Sequence, residues 1–150
     1  MSTPTIIATV GSSIANSYGS RQEADTYNDS QLHPDAPWPS NVSATATIGS
    51  GTNGTVTMTV DSAGTEGNSY TVVVGVAAEA SASLAATLVG TAITITLGTA
   101  GAGVADDTKN KASLVSAILD TLTGITATAS GSGYVPIPVT SIKSFTGGSY

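Results

Sequence analysis

Cysteine is absent from this chain of 150 residues. That excludes a disulfide framework and a thiolate metal site, and leaves the compartment open. Charge is almost as scarce: Asp, Glu, Lys and Arg together make up 9% of residues, against about 25% in an ordinary soluble domain. The fixed cations are Arg21, Lys109, Lys111 and Lys143, and the net charge is −6. Nucleic-acid binding draws its affinity from cations that neutralise phosphates, and four scattered ones do not supply it. The same shortage excludes a polybasic membrane patch. Apolar runs such as residues 72–78 fall far short of the roughly 20 residues that span a bilayer. Residues 1–7 lack the basic region and apolar run of a signal peptide, so a soluble, unexported chain is expected.

Thr, Ser, Ala and Gly are abundant instead, and mean hydropathy is +0.21. Low charge with positive hydropathy is the opposite of the disordered signature. It suits a rigid β protein of small side chains that meets other proteins over much of its surface. Val56, Met58 and Val60 alternate with threonines, as do Ile93, Ile95 and Leu97; Tyr70, Val72, Val74 and Val76 alternate less strictly. Period-2 alternation places one side-chain set on each face of a strand, and β-branched residues suit a pleated surface. Strands are therefore expected at 44–48, 55–60, 69–76, 84–89, 92–97, 125–129 and 139–142. Asn53-Gly54 has the composition of a hairpin turn, and Gly90-Thr91 that of a tight turn. The glycine-rich stretch 98–103 ends the meander as a flexible connection. Val115, Ile118, Leu119 and Leu122 fall at i, i+3, i+4 and i+7, which predicts one helix over about 107–122 with an apolar stripe. Asp106 or Asp107 is expected to cap its start and Gly124 its end. The fold class is α+β, mainly β: a compact antiparallel sheet or sandwich of six or seven short strands with one helix.

That domain occupies 41–150. Residues 1–40 read as an extended arm, with the only Arg, the only His and the only Trp. Ile6, Ile7 and Val10 could form a short strand, and residues 22–28 a helical turn or two behind a capping box of Ser20 and Glu23. Pro34, Pro37 and Pro39 break any regular element there. Trp38 needs a pocket, on its own domain or on a neighbouring subunit; the length and polarity of the arm favour the neighbour.

No residue constellation reads as catalytic, cofactor-binding or metal-binding. His33, between Leu32 and Pro34, has no visible partner for a nucleophilic triad. Asp106 and Asp107 could be a cation pair, but hard cations need six or more oxygens, and helix capping accounts for both. Asp61, Glu66 and Asn68 do not have calcium-loop spacing, so a turn is the simpler reading. Residues 98–103 superficially resemble a phosphate cradle but lack the Lys-Ser/Thr ending. Tyr18, Tyr27, Tyr134, Phe145 and Tyr150 form no stacking row at strand spacing; they read as anchors for contacts between subunits, where Tyr and Trp are enriched.

The run from Gly54 through Val60 and Gly64 to Asn68 and Tyr70, the repeat Ile93 to Gly98, Asp106 to Asn110, Leu122 to Ala127 and a closing Phe145 to Gly148 together resemble a β domain found repeatedly in structural proteins of tailed bacteriophages. The likeness spans 44–148. Its most recognisable piece is Ala63-Gly64-Thr65-Glu66-Gly67-Asn68 before a valine-rich strand. In the arm, Ala15 to Tyr18, Glu23 to Tyr27 and Trp38 are similar to the opening of head–tail connector proteins; the chain departs from that pattern at about Pro39, where a helical bundle would follow. The resemblance implies a non-enzymatic virion component made in the host cytoplasm, without cofactor. The module occurs in head, tail and sheath proteins alike; within that setting a head accessory (decoration or cement) protein is expected, its partners the major capsid protein or neck and tail proteins, assembling as a homo-oligomer. Tyr18, Tyr27 and Trp38 are then the expected partner contacts. A neck or tail ring protein is the nearest alternative, and a sugar-binding receptor module the alternative of another class.

Overall fold

The computed structural model describes residues 41–150; the arm expected at 1–40, with its short strand, its helical turns, His33 and the contact residues Tyr18, Tyr27 and Trp38, lies outside the described residues. The β domain is one compact unit, Ser40–Tyr150. Its strands in chain order are β1 (Ser43–Gly49), β2 (Thr55–Ala63), β3 (Thr71–Val76), β4 (Ala85–Val89), β5 (Ala92–Leu97), β6 (Thr99–Gly101), β7 (Val104–Ala105), β8 (Ile125–Ala129) and β9 (Thr140–Ser144). One helix, α1 (Ala112–Leu119), and a 3-10 turn, Thr65–Ser69, complete the described elements.

Three sheets result, in the orders β1-β2-β8, β4-β5-β3-β9 and β6-β7. The α+β, mainly β class expected from the alternation is what forms. Every ladder is antiparallel except β3 with β5, which run parallel with Val72 opposite Ile93 and Val74 opposite Ile95. The alternation works as a burial code. In β2, Val56, Met58 and Val60 are at most 3% exposed while the threonines between them stay half-buried. In β5, Ile93, Ile95 and Leu97 are at most 1% exposed. Inward residues of both large sheets join Ala112, Val115 and Leu119 of α1, together with Ile137 and Phe145, in one apolar cluster. Each such side chain contributes on the order of 1.5–3 kcal/mol when fully buried. α1 packs on β8 and β2 and touches β4.

The two large sheets are tied together by the end of the chain. β9 pairs with β3 on one side. Beyond it, the Phe145 N–H donates to Tyr70 O, and Thr45 and Thr146 exchange both backbone bonds, as do Val42 and Ser149. The closing residues therefore form the outer neighbour of β1. Phe145 is 1% exposed and its ring lies 6.0 Å from that of Tyr70. Phe145 is thus a core residue, not the subunit-contact anchor its aromatic character suggests.

Three local expectations change. The helix starts at Ala112, with Lys111 as N-cap and no side-chain capping bond, so neither Asp106 nor Asp107 caps it. Its first free amides are satisfied from elsewhere: Ala112 N–H donates to Val135 O and Ser113 N–H to Gly133 O, both at 3.0 Å. Helix starts leave such donors unsatisfied, and any well-placed carbonyl closes them. Gly133 has φ +62, and a Cβ there would meet the Ser113 backbone at 2.9 Å, so only glycine brings that carbonyl in. At the other end Asp120 is the C-cap and Gly124, φ +83, turns the chain into β8.

The second change is in 98–103, which is not a loose connection: β6 and β7 form a small ribbon. The third is at Asn53-Gly54. The β1–β2 loop runs over residues 50–54, its positive φ values are at Gly49 and Gly51, and Ser50 N–H donates to Gly54 O. Asn53 instead holds the distant 130s loop, its Oδ1 accepting from Ser132 N–H and its backbone O from Val135 N–H. Gly90-Thr91 does form the expected two-residue turn between the paired Val89 and Ala92, with a positive φ at Gly90 alone, the type II′ pattern.

Candidate interaction surfaces

The motif residues that single out this chain converge on two similar devices. Asn68 donates from Nδ2 to Gly148 O and accepts at Oδ1 from Gly148 N–H, both at 2.9 Å. Asn110 does the same to Gly98, both bonds at 2.8 Å. An asparagine side chain carries one acceptor and two donors in a plane, so it can imitate a neighbouring strand for one residue. Each asparagine clamps one glycine backbone where no ladder reaches it. Asn110 is 1% exposed, and among the described residues no buried side-chain polar atom is left without a partner.

The Ala63-to-Asn68 stretch is the seat for the chain's end. Gly64 N–H donates to Val42 O, Gly67 packs on Ala44, and the Tyr150 ring lies against Gly64. A hydrogen bond to the Glu66 carboxylate raises the Tyr150 phenol above its ordinary pKa, aided by burial. Asp61 faces elsewhere, its Oδ1 accepting from Thr126 Oγ1 at 2.7 Å. Asp61, Glu66 and Asn68 thus serve three different partners and do not converge on a cation. Asp106 closes a turn: its Oδ1 accepts from the Thr108 hydroxyl at 2.6 Å and from the Thr108 N–H at 2.9 Å. Those bonds, with Lys109 at 3.7 Å, hold its carboxyl below the usual carboxylate range. The Lys109 ammonium donates to Thr99 O at 2.7 Å, and buried Thr99 ties down the 79–82 loop through Glu79 O and Ala82 N–H. The chain therefore spends these polar residues on its own backbone. Among the described residues, no group of three or more His, Asp or Glu is placed to hold a metal ion.

Several large apolar side chains face outward. Tyr134 is 68% exposed, Val139 60% and Ile142 72%, with Val135 and Leu114 both at 45%. Residues 133–136 run beside the start of α1 through the Ala112, Ser113 and Lys111 backbone pairings. Tyr134, Val135 and Leu114 therefore share one side of the domain. The Lys111 ammonium sits 3.8 Å from the Tyr134 ring centroid, a cation–π contact that holds an exposed ring in place. Of the aromatics expected to be contact anchors, Tyr134 and Tyr150 are exposed and Phe145 is buried. Compared with known proteins, the chain matches no family model, no curated protein and no solved structure.

The alternation pattern did not point to Val135, Val139 or Ile142, because Pro136 and Pro138 interrupt it. Exposed apolar side chains next to two prolines were the available signal. The asparagine clamps had a fainter one: Asn68 stands three residues before β3 and Asn110 two before α1.

Proposed function

We propose that this chain is a non-enzymatic structural component of a tailed-phage virion, a head accessory protein of the decoration or cement kind. The observation that carries the reading is the exposed apolar group Tyr134, Val135 and Leu114, with Val139 and Ile142 also exposed, on a domain that uses Asn68 and Asn110 to tie down its own backbone. Contiguous apolar exposure marks protein–protein surfaces, and a weakly charged domain packs closely against neighbours with little salt-sensitive attraction. The motif likeness to phage β domains supports the setting. The geometry gives its motif residues a reason: the two asparagine clamps make a rigid module that can be reused.

In this reading the β domain sits on the shell as a homo-oligomer. The arm, through Tyr18, Tyr27 and Trp38, reaches neighbouring capsid subunits, so that many modest contacts add by avidity. A neck or tail ring protein is the second reading, favoured by the connector-like residues from Ala15 to Trp38. The deciding experiment is the copy number of this protein in purified particles, by quantitative mass spectrometry against the major capsid protein. A ratio near one supports decoration. A handful of copies moves the protein to the neck or tail, and absence from particles refutes both. In full-length protein, joint Tyr18→Ala, Tyr27→Ala and Trp38→Ala substitution should abolish particle binding and leave the fold intact.

A further inference from the structure

Every open sheet has two edges, and an edge strand offers unpaired N–H and C=O groups to any passing strand. Three of the four edges of the two large sheets are guarded here. The outer side of β1 is taken by the closing residues through Thr146 and Ser149, its register is irregular between Ser43 and Thr45, and the Lys143 ammonium donates to Thr47 O. On β8, Asp120 Oδ1 accepts from Ala127 N–H at 2.6 Å and Ile125 N–H donates to Leu122 O. β9 follows Pro136 and Pro138, carries Lys143 and is irregularly registered against β3.

Among the described residues, β4 has none of these guards. Its sequence, Ala85-Ala86-Thr87-Leu88-Val89, holds no charge and no proline, and its pairing with β5 is regular over all five residues. It ends the four-stranded sheet, with β5 as its neighbour there. The parity of its free groups follows from the Gly90-Thr91 turn. Residues flanking a two-residue turn exchange both backbone bonds, so Val89, Thr87 and Ala85 face β5 and the N–H and C=O of Ala86 and Leu88 face outward. The core is also open at this edge. Ile93, Ile95 and Leu97 of β5 are at most 1% exposed, whereas Leu84, Ala86 and Leu88 on the same face are only partly buried.

We infer that β4 is a homodimer edge, taking β4 of a second copy in antiparallel pairing about a two-fold axis at Thr87. The outward groups are self-complementary in that arrangement: Ala86 of one copy faces Leu88 of the other, and each pair exchanges both bonds, four in all. Thr87 then stands opposite Thr87 of the second copy in the pair that is not hydrogen-bonded. An interface of this kind asks for one patch only. It joins the half-buried Ala86 and Leu88 of both copies into one face of an eight-stranded sheet. Two copies of a chain with net charge −6 repel one another, and this uncharged edge is where they can meet without bringing like charges face to face.

The test reads mass and amide exchange on the full-length protein and does not depend on the virion reading. Wild type should sediment as a concentration-dependent dimer, with the Ala86 and Leu88 amides protected from hydrogen exchange. Thr87 is exposed, so Thr87→Lys should leave the circular dichroism unchanged. Like charges directly opposite on paired strands repel, so that variant should weaken dimerisation at least tenfold and expose both amides. Thr87→Glu should do the same alone, and an equimolar mixture of the two should restore the dimer. A monomeric wild type would overturn the inference, with protected Ala86 and Leu88 amides then pointing to a strand from this chain's own residues 1–40. A dimer indifferent to both substitutions would overturn it equally.

Discussion

Asn110 shows how one polar side chain can hold an architecture. It is buried, and its amide bonds both backbone groups of Gly98, whose C=O also accepts from Asp106 N–H. Asn110→Ala leaves the Gly98 N–H without a partner while Gly98 O keeps its bond from Asp106 N–H, and should cost about 2 kcal/mol in urea unfolding. Asn110→Asp keeps the acceptor but loses the donor and buries a carboxylate, so it should be worse at neutral pH and partly recover in acid. Asn68 makes the same pair of bonds from an exposed position. Water can replace what it loses, and Asn68→Ala should cost only about 1 kcal/mol. Asp106 adds a pH dependence whose sign is fixed. Its folded pKa is lowered by Thr108 and Lys109. Its contribution is therefore complete above the unfolded carboxyl value of about 4 and is lost as pH falls through the lower folded value. Asp106→Asn should flatten the acid limb of a stability–pH curve; an unchanged limb would assign that slope to other carboxylates.

At the scale of elements, α1 is instructive because its stripe was legible and its start was not. Val115 and Leu119 are fully buried at the expected spacing, with Ile118 and Leu122 half-buried beside them. The start depends on carbonyls of residues 133 and 135, some twenty positions away, which no local pattern reports. Replacing Gly133 by alanine forces a side chain into a left-handed φ and against the Ser113 backbone. It should cost about 2 kcal/mol and free the Ala112 and Ser113 amides to exchange, read by hydrogen-exchange mass spectrometry. β5 and β8 were legible to the residue, since strict alternation between apolar residues and threonine or alanine admits only one register. β6 and β7 escaped notice because three glycines among residues 98–103 imitate a loop. They form a ribbon because Gly98 is clamped on both backbone groups and Asp106 N–H returns to Gly98 O.

For the whole β domain, the last six residues decide whether two sheets behave as one body. Phe145 fills the core against Tyr70, and the residues after it pair with β1 and close on Asn68. Phe145→Ala should cost about 3–5 kcal/mol, as large-to-small core changes do. Deleting residues 146–150 should instead leave secondary structure in place while releasing the β1 edge, seen as faster exchange at Val42 and Thr45 and a lower Tm. If Tm is unchanged, the closing residues are an ornament and the sheets are held by the shared core alone.

The sequence by itself determined the class of this protein, its core and the faces of its strands, because period-2 burial is a local consequence of backbone geometry. It also determined that cysteine chemistry and a polybasic surface are excluded, since those depend on residue types alone. Tertiary structure decided the rest: which strands pair in parallel, what caps the helix, which aromatic is core and which is exposed, and which edge is unpaired among the described residues. Those outcomes depend on hydrogen-bond donors and acceptors meeting across 12 to 107 positions of chain, from Gly98 with Asn110 to Val42 with Ser149. Backbone groups are the same at every residue, so their long-range pairing leaves no mark in the side-chain pattern.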